Sequence, residues 1–139
     1  MEICIEVQGL PPKKDGANSM WRRRPEADRV KALRSAALEQ MRGRAPFPVD
    51  ARLSVYIEVH IGPVNGRAVG DLDNFVTGVL DALQAAPAGL ATQQGLIPQT
   101  TPYGGAIVFE DDASVVHLEA RKVVGVEDQH YTVRVGVER

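Results

Sequence analysis

Asp71 and Asp73 flank Leu72 in the string GDLDNFVTGVLDAL, where an apolar stripe of Phe75, Val76, Val79, Leu80 and Leu83 predicts a helix that starts at the acidic pair. Both carboxylates can leave the same helix end while Leu72 turns inward. The helix dipole favours each anion by about 0.3 to 1 kcal/mol. Their mutual repulsion is of similar size, about 1 kcal/mol at 4 Å in water and about 4 at an effective dielectric of 20. A divalent cation between them would reverse the sign of that term. A second pair, Asp111 and Asp112, follows Glu110 just before a long strand, and three adjacent acids repel unless something cationic neutralises them. If the sheet brings this turn beside the helix start, three or four carboxylate oxygens converge. Hard oxygen donors suit Mg²⁺, or Mn²⁺ in its place, and no His and Cys spacing here resembles a zinc site. The chemistry implied is metal-assisted attack of water on a phosphodiester. The plainer alternatives are helix capping for Asp71 and Asp73, with Asn74 satisfying a further backbone group, and an ordinary turn for Asp111 and Asp112.

The elements that must position these residues can be read from periodicity. Residues 2–8 alternate Ile3, Ile5 and Val7 against Glu2, Glu6 and Gln8, which predicts a half-buried strand with Cys4 as a buried thiol within the run. Residues 26–43 repeat Val30, Leu33, Ala37, Leu38 and Met41 at helical spacing, with Pro25 at the start and Gly43 at the stop. Residues 51–62 place Leu53, Val55, Ile57, Val59 and Ile61 on one strand face, and Ser54, Tyr56, Glu58 and His60 on the other. After the acidic helix, residues 85–106 hold Pro and Gly without period and exceed the length at which structureless loops become uncommon, so a lid or partner-contacting insertion is expected. Residues 107–109 form a short apolar run, 114–124 a long strand, and 131–137 a terminal strand. The order β, α, β, α, β, β predicts an α+β fold, a two-layer sandwich in which a mixed sheet carries its helices on one face.

The chain has 139 residues, 44% of them hydrophobic and 24% charged, which excludes a disordered, collagenous or disulfide-framework protein and predicts one domain over 1–139. The lone Cys4 cannot form an intrachain disulfide, and a cytoplasmic, reducing setting is expected. No apolar run approaches membrane-span length and MEICIEVQG lacks the basic start of a signal peptide, so no membrane partner is expected. The net charge is −2, yet from Lys13 to Arg44 ten basic residues face four acidic ones, a local +6 that leaves −8 for the rest. One surface for a polyanion and another rich in carboxylates would give this asymmetry, as would a solvated helix of mixed charge. Within the basic segment, Trp21 beside Arg22, Arg23 and Arg24 could stack on an unpaired base, or could instead anchor the loop in the core. His60 and His117 fall on polar strand faces and His130 in a turn, where surface roles are expected.

The string GDLDNFVTGVLDAL, followed by DDASVVHLEARK and preceded by PPKK near the N-terminus, resembles the signature of the RusA-type Holliday junction resolvases. The resemblance runs from the first strand to Lys122 and is fairly specific in the order DLDN…LDAL…DD…K. It implies a RusA-like fold and a small Mg²⁺-dependent endonuclease, homodimeric, that nicks branched DNA symmetrically in recombination or repair, of a kind often encoded by phages. The family's essential carboxylates would fall on Asp71, Asp73 and Asp112, with Asp111 adjacent and Lys122 matching a lysine of the last motif. The DNA contacts expected are Lys13, Lys14, Trp21, Arg22, Arg23, Arg24 and Arg67. One departure is chemical: such resolvases carry a Lys one turn after the second Asp, and Thr77 stands there. A hydroxyl cannot supply the cationic stabilisation, whose loss costs a factor of about 10² to 10³ in rate. Lys13, Lys14 and Lys122 are the possible substitutes. Alternation puts Lys122 on the face of Val116, Leu118 and Ala120, where its charge needs a partner such as the acidic cluster or must snorkel to water. Two further departures, only Arg67 as a basic residue in GPVNGRAVG and the long 85–106 loop, point to a changed substrate. A branched-DNA-binding protein with little nuclease activity is the alternative that Thr77 motivates. A hydrolase of smaller phosphate esters, with 85–106 as its lid, is a third.

Overall fold

A computed structural model describes residues 2–14, 19–22, 24–63, 71–84 and 105–138. Four strands form one sheet: β1 (Glu2–Gln8), β2 (Leu53–Ile61), β3 (Val115–Val124) and β4 (His130–Val137), in the order β1-β4-β2-β3. β4 pairs antiparallel with both β1 and β2, whereas β2 and β3 are parallel, so the sheet is mixed as expected. The helices are α1 (Ser19–Arg22), α2 (Glu26–Met41) and α3 (Leu72–Leu83), with a 3-10 turn at Asp112–Ser114. The protein is therefore an α+β molecule, and no helix among the described residues is long and apolar enough to cross a membrane.

Strict alternation builds the layers. Ile3, Ile5 and Val7 of β1, five apolar residues of β2 from Leu53 to Ile61, and Tyr131, Val133 and Val135 of β4 form one buried face. Val30, Leu33, Ala37 and Met41 of α2 and Phe75, Val79, Ala82 and Leu83 of α3 cover it in a common core. The side chains between those positions point to the opposite, mostly open face, where Ser54 is buried. Cys4 is one of them and is exposed, which corrects the expected buried thiol: its neighbours Ile3 and Ile5 own the inward positions. α2 ends where Arg42 adopts a left-handed conformation (φ 52°) and Gly43 follows at φ 79°. Of the 85–106 loop only Gly105 and Ala106 are described, both buried; the rest lies outside the described residues.

One connection decides where the acidic pairs go. Parallel neighbours need a crossover, and α3 supplies it between β2 and β3. A crossover helix runs back against its strands, so α3 starts at the carboxyl end of β2 and finishes where β3 begins. Asp71 and Asp73 therefore stand at one end of α3, and the Asp111–Asp112 turn, which leads into β3, returns to the other.

Candidate active site

Asp71 is the residue before the first turn of α3, in an extended conformation (φ −85°, ψ 147°), and its carbonyl accepts the Phe75 amide at 3.2 Å. Its side chain makes no capping bond, so the helix dipole is met by charge and not by a hydrogen bond. Asp73, in the first turn, is exposed as well. Thr77 Oγ1 donates to the Asp73 carbonyl at 2.9 Å, which spends the hydroxyl on the helix backbone.

The N-terminal PPKK segment lies across the middle of α3. A Cβ at Gly78 would overlap the Pro12 carbonyl, so only glycine permits this crossing. The Lys14 amide donates to the Asn74 carbonyl at 3.2 Å, and Lys14 Nζ lies 3.0 Å from Asp81 Oδ2. The other Asp81 oxygen accepts Gln84 Nε2 at 3.1 Å, and Gln84 Oε1 accepts the Asp112 amide at 3.0 Å. A continuous polar chain, Lys14–Asp81–Gln84–Asp112, thus joins the three sequence blocks PPKK, LDAL and DD.

At the second acidic pair, Asp111 Oδ1 accepts the Ala113 amide at 2.8 Å and starts the 3-10 turn. The Asp112 carboxyl is held above its ordinary value, first by partial desolvation, then by the hydrogen bond and charge of Asp111 and the charge of Asp81; Lys14 partly offsets this. Neither Asp71 nor Asp73 is among these influences. Eight residues of helix, about 12 Å, separate Asp73 from Asp81. The expected convergence of Asp112 on Asp71 and Asp73 is therefore not what the crossover gives. Among the described residues no three acidic, His or Cys side chains are grouped to hold a metal ion. Asp71 and Asp73 still fit a hard cation in the kind of donor they offer, exposed carboxylate oxygens that no side chain caps.

The C-terminal end of α3 is locked by a residue the periodicity hid. Arg34 is fully buried among the inward positions of α2; its Nη1 donates to the carbonyls of Ala82 (2.9 Å) and Gln84 (3.4 Å), and its Nη2 to that of Gly105 (2.6 Å). Burial lowers its pKa to about 10, which leaves it charged at neutral pH. The amides of Ile107 and Val108 both reach the Leu83 carbonyl. Both flanks of the undescribed 85–104 stretch are thereby fastened at one point.

The basic residues are dispersed. Lys13 donates its amide to Glu26 Oε1 at 3.1 Å, and Arg24 pairs with Asp28 at 3.4 Å on the surface. Trp21 is 4% exposed, and Arg34 stands 5.5 Å from its ring centroid, so the ring is a core anchor and is not available to stack on a base. Arg23 and Arg67, and the side chain of Arg22, lie outside the described residues. Lys122 sits half-buried on the helix-facing side of β3, opposite Val59. His60 stacks on His130 with ring centroids 4.3 Å apart, and His117 faces Glu119 at 3.1 Å, all on the open sheet face.

Sequence reasoning missed Asp81, Gln84 and Arg34. Asp81 could have been found as the third member of the Asp73, Thr77, Asp81 stripe at four-residue spacing, and Arg34 as a charge four residues after Val30 on a buried face. No protein-family model and no curated protein matches this chain.

Proposed function

We propose that this protein is a metal-dependent endonuclease acting on branched DNA as a homodimer, with its chemistry at the start of α3. The observation that carries the reading is that PPKK, DLDN…LDAL and DD, spread over the chain, all meet on α3, with Lys14 paired to Asp81. Asp71 and Asp73 would hold Mg²⁺ or Mn²⁺, whose charge activates water and polarises a phosphodiester. Thr77, whose hydroxyl is spent on the helix backbone, offers no cation there, and the nearest lysine of PPKK with a described side-chain partner, Lys14, pairs with Asp81 further along the same helix. Asp112, tied to Gln84, positions the turn into β3. Lys13 and Arg24 add positive charge for the DNA backbone.

A second reading, binding of branched DNA without cleavage, is favoured by one observation, the commitment of the Thr77 hydroxyl to its own helix. The two separate in a cleavage assay on a labelled four-way junction against a linear duplex, in Mg²⁺ and then Mn²⁺. Paired nicks on the junction that disappear in Asp73→Asn support the first reading. Binding without nicks, with cleavage revived by Thr77→Lys, supports the second. Neither binding nor nicks overturns both.

A further inference from the structure

Two of the three histidines in the chain are neighbours on the sheet face away from the helices. His60 of β2 and His130 of β4 are directly opposite in the antiparallel register, and their rings stack with centroids 4.3 Å apart. The sheet row they occupy reads Gln8, His130, His60, Val123 from β1 to β3, so no lysine or arginine stands in it. The next row holds Glu6, Thr132, Glu58 and Arg121, where Arg121 is 3.6 Å from Glu58. The third histidine, His117, pairs with Ser54, six residues and about 20 Å along β2 from His60.

The hydrogen bonds of the two rings decide what each can still do. His60 Nε2 is 2.6 Å from Glu58 Oε1, and a carboxylate only accepts, so Nε2 carries the hydrogen. His130 Nδ1 is 2.9 Å from the Asp128 carbonyl, so its hydrogen is on Nδ1. Each neutral ring keeps one lone pair, on His60 Nδ1 and on His130 Nε2. Histidines that bind metal are held in this way: the other N–H goes to a carboxylate or a backbone carbonyl, which fixes the tautomer and the ring orientation. With metal–nitrogen bonds of about 2.0 to 2.1 Å, two imidazoles on one ion have centroids about 4.5 to 5 Å apart, close to the spacing of this pair. Turning the rings out of the stack brings both lone pairs to one ion, and the strands need not move, because opposite residues already have Cβ atoms about 4.5 to 5.5 Å apart. Imidazole nitrogen suits Zn²⁺, Ni²⁺ and Cu²⁺, whereas Mg²⁺ takes oxygen. We propose that His60 and His130 bind one divalent transition-metal ion of this kind, which clamps β2 to β4. Glu58 orients His60, and water completes the coordination, since the pair offers two nitrogens and not the four ligands of a closed structural site. The site lies on the opposite face of the sheet from α3 and does not depend on the nuclease reading.

Calorimetric titration of the chelator-stripped full chain with NiCl₂ and with ZnCl₂ tests it, at about pH 7.5, above the ordinary titration range of histidine. Excess Mg²⁺ is present throughout to occupy oxygen donors. The expected result is one ion bound per chain, with a thermal midpoint that climbs as Ni²⁺ or Zn²⁺ is added. His130→Asn keeps an amide to donate to the Asp128 carbonyl but has no imidazole, and it weakens binding tenfold or more, as does His60→Asn. Glu58→Gln, which keeps an acceptor without its charge, weakens binding by about tenfold or less. His117→Asn and Cys4→Ser, the latter removing the exposed thiol on the same face, bind as wild type does. A second readout identifies the ligands directly: in NMR spectra, paramagnetic Ni²⁺ at a fraction of an equivalent broadens the ring protons of His60 and His130 before those of His117. A wild-type chain that binds neither ion, binding unchanged in His60→Asn and His130→Asn, binding lost in Cys4→Ser, or equal broadening of all three histidines overturns the proposal.

Discussion

The two acidic pairs, Asp71 with Asp73 and Asp111 with Asp112, consist of the same residue type and both open a helical turn, yet their surroundings differ. In the first, the Asp71 carboxylate makes no capping bond, and only its backbone carbonyl joins the helix, accepting the Phe75 amide. In the second, Asp111 uses an oxygen to cap the 3-10 turn, and the Asp112 carboxyl is pushed upward by desolvation and by Asp111 itself. A pair spaced by one residue at a long helix start leaves its charges for an outside partner. An adjacent pair in a tight turn turns them on the local backbone and on each other. That difference comes from spacing and from the crossover topology.

The largest expected effect concerns what holds the second pair in place. Arg34 binds the end of α3 and Gly105, which leads to the turn. Arg34→Met leaves three carbonyls without this donor, and we expect a loss of about 3 kcal/mol or more in denaturant unfolding. If stability is unchanged, the turn does not depend on this lock and the contrast between the pairs weakens. Removing the cap itself is a smaller perturbation. Asp111→Ala lowers stability by about 1 kcal/mol, and in NMR titration it brings the Asp112 carboxyl back toward its ordinary pKa.

The pH dependence follows from the direction of the Asp112 shift. A carboxyl raised in the folded state binds its proton more tightly there than in the unfolded chain. The stability it contributes is present at low pH and lost as pH rises from the unfolded value of 3.8 through the raised folded value. Asp112→Asn removes that loss. Without divalent cations it is therefore at least as stable as wild type at pH 7, and the advantage disappears below the unfolded value. A variant less stable at pH 7 would show that the Asp112 charge is paired favourably, contrary to this account.

The sequence made the strand faces and both long helices legible because each buries one periodic stripe, and β1 from Glu2 to Gln8 and α3 at its acidic start appear as expected. Periodicity says which face is buried and nothing about which ends meet. The place of Asp112 depended on β2 and β3 being parallel neighbours, a pairing that lies outside any local window. Arg34 was overlooked, and the base-stacking alternative for Trp21 fails while the core-anchor one holds, for a related reason. A charge or an indole in a basic stretch looks solvent-facing until the carbonyls at the end of α3, 48 and 50 positions on, give the guanidinium its partners. Gly78 could be seen as an isolated glycine on a helix, but only the crossing of Pro12 explains it.

The most direct test measures nicking rate and thermal midpoint together for Asp73→Asn and Asp111→Ala on a four-way junction in Mg²⁺. If the open pair carries the chemistry, Asp73→Asn loses about a hundredfold or more in nicking at an unchanged midpoint, while Asp111→Ala lowers the midpoint and keeps its nicking rate within a few-fold. An Asp73→Asn protein that nicks at the wild-type rate would contradict the central claim.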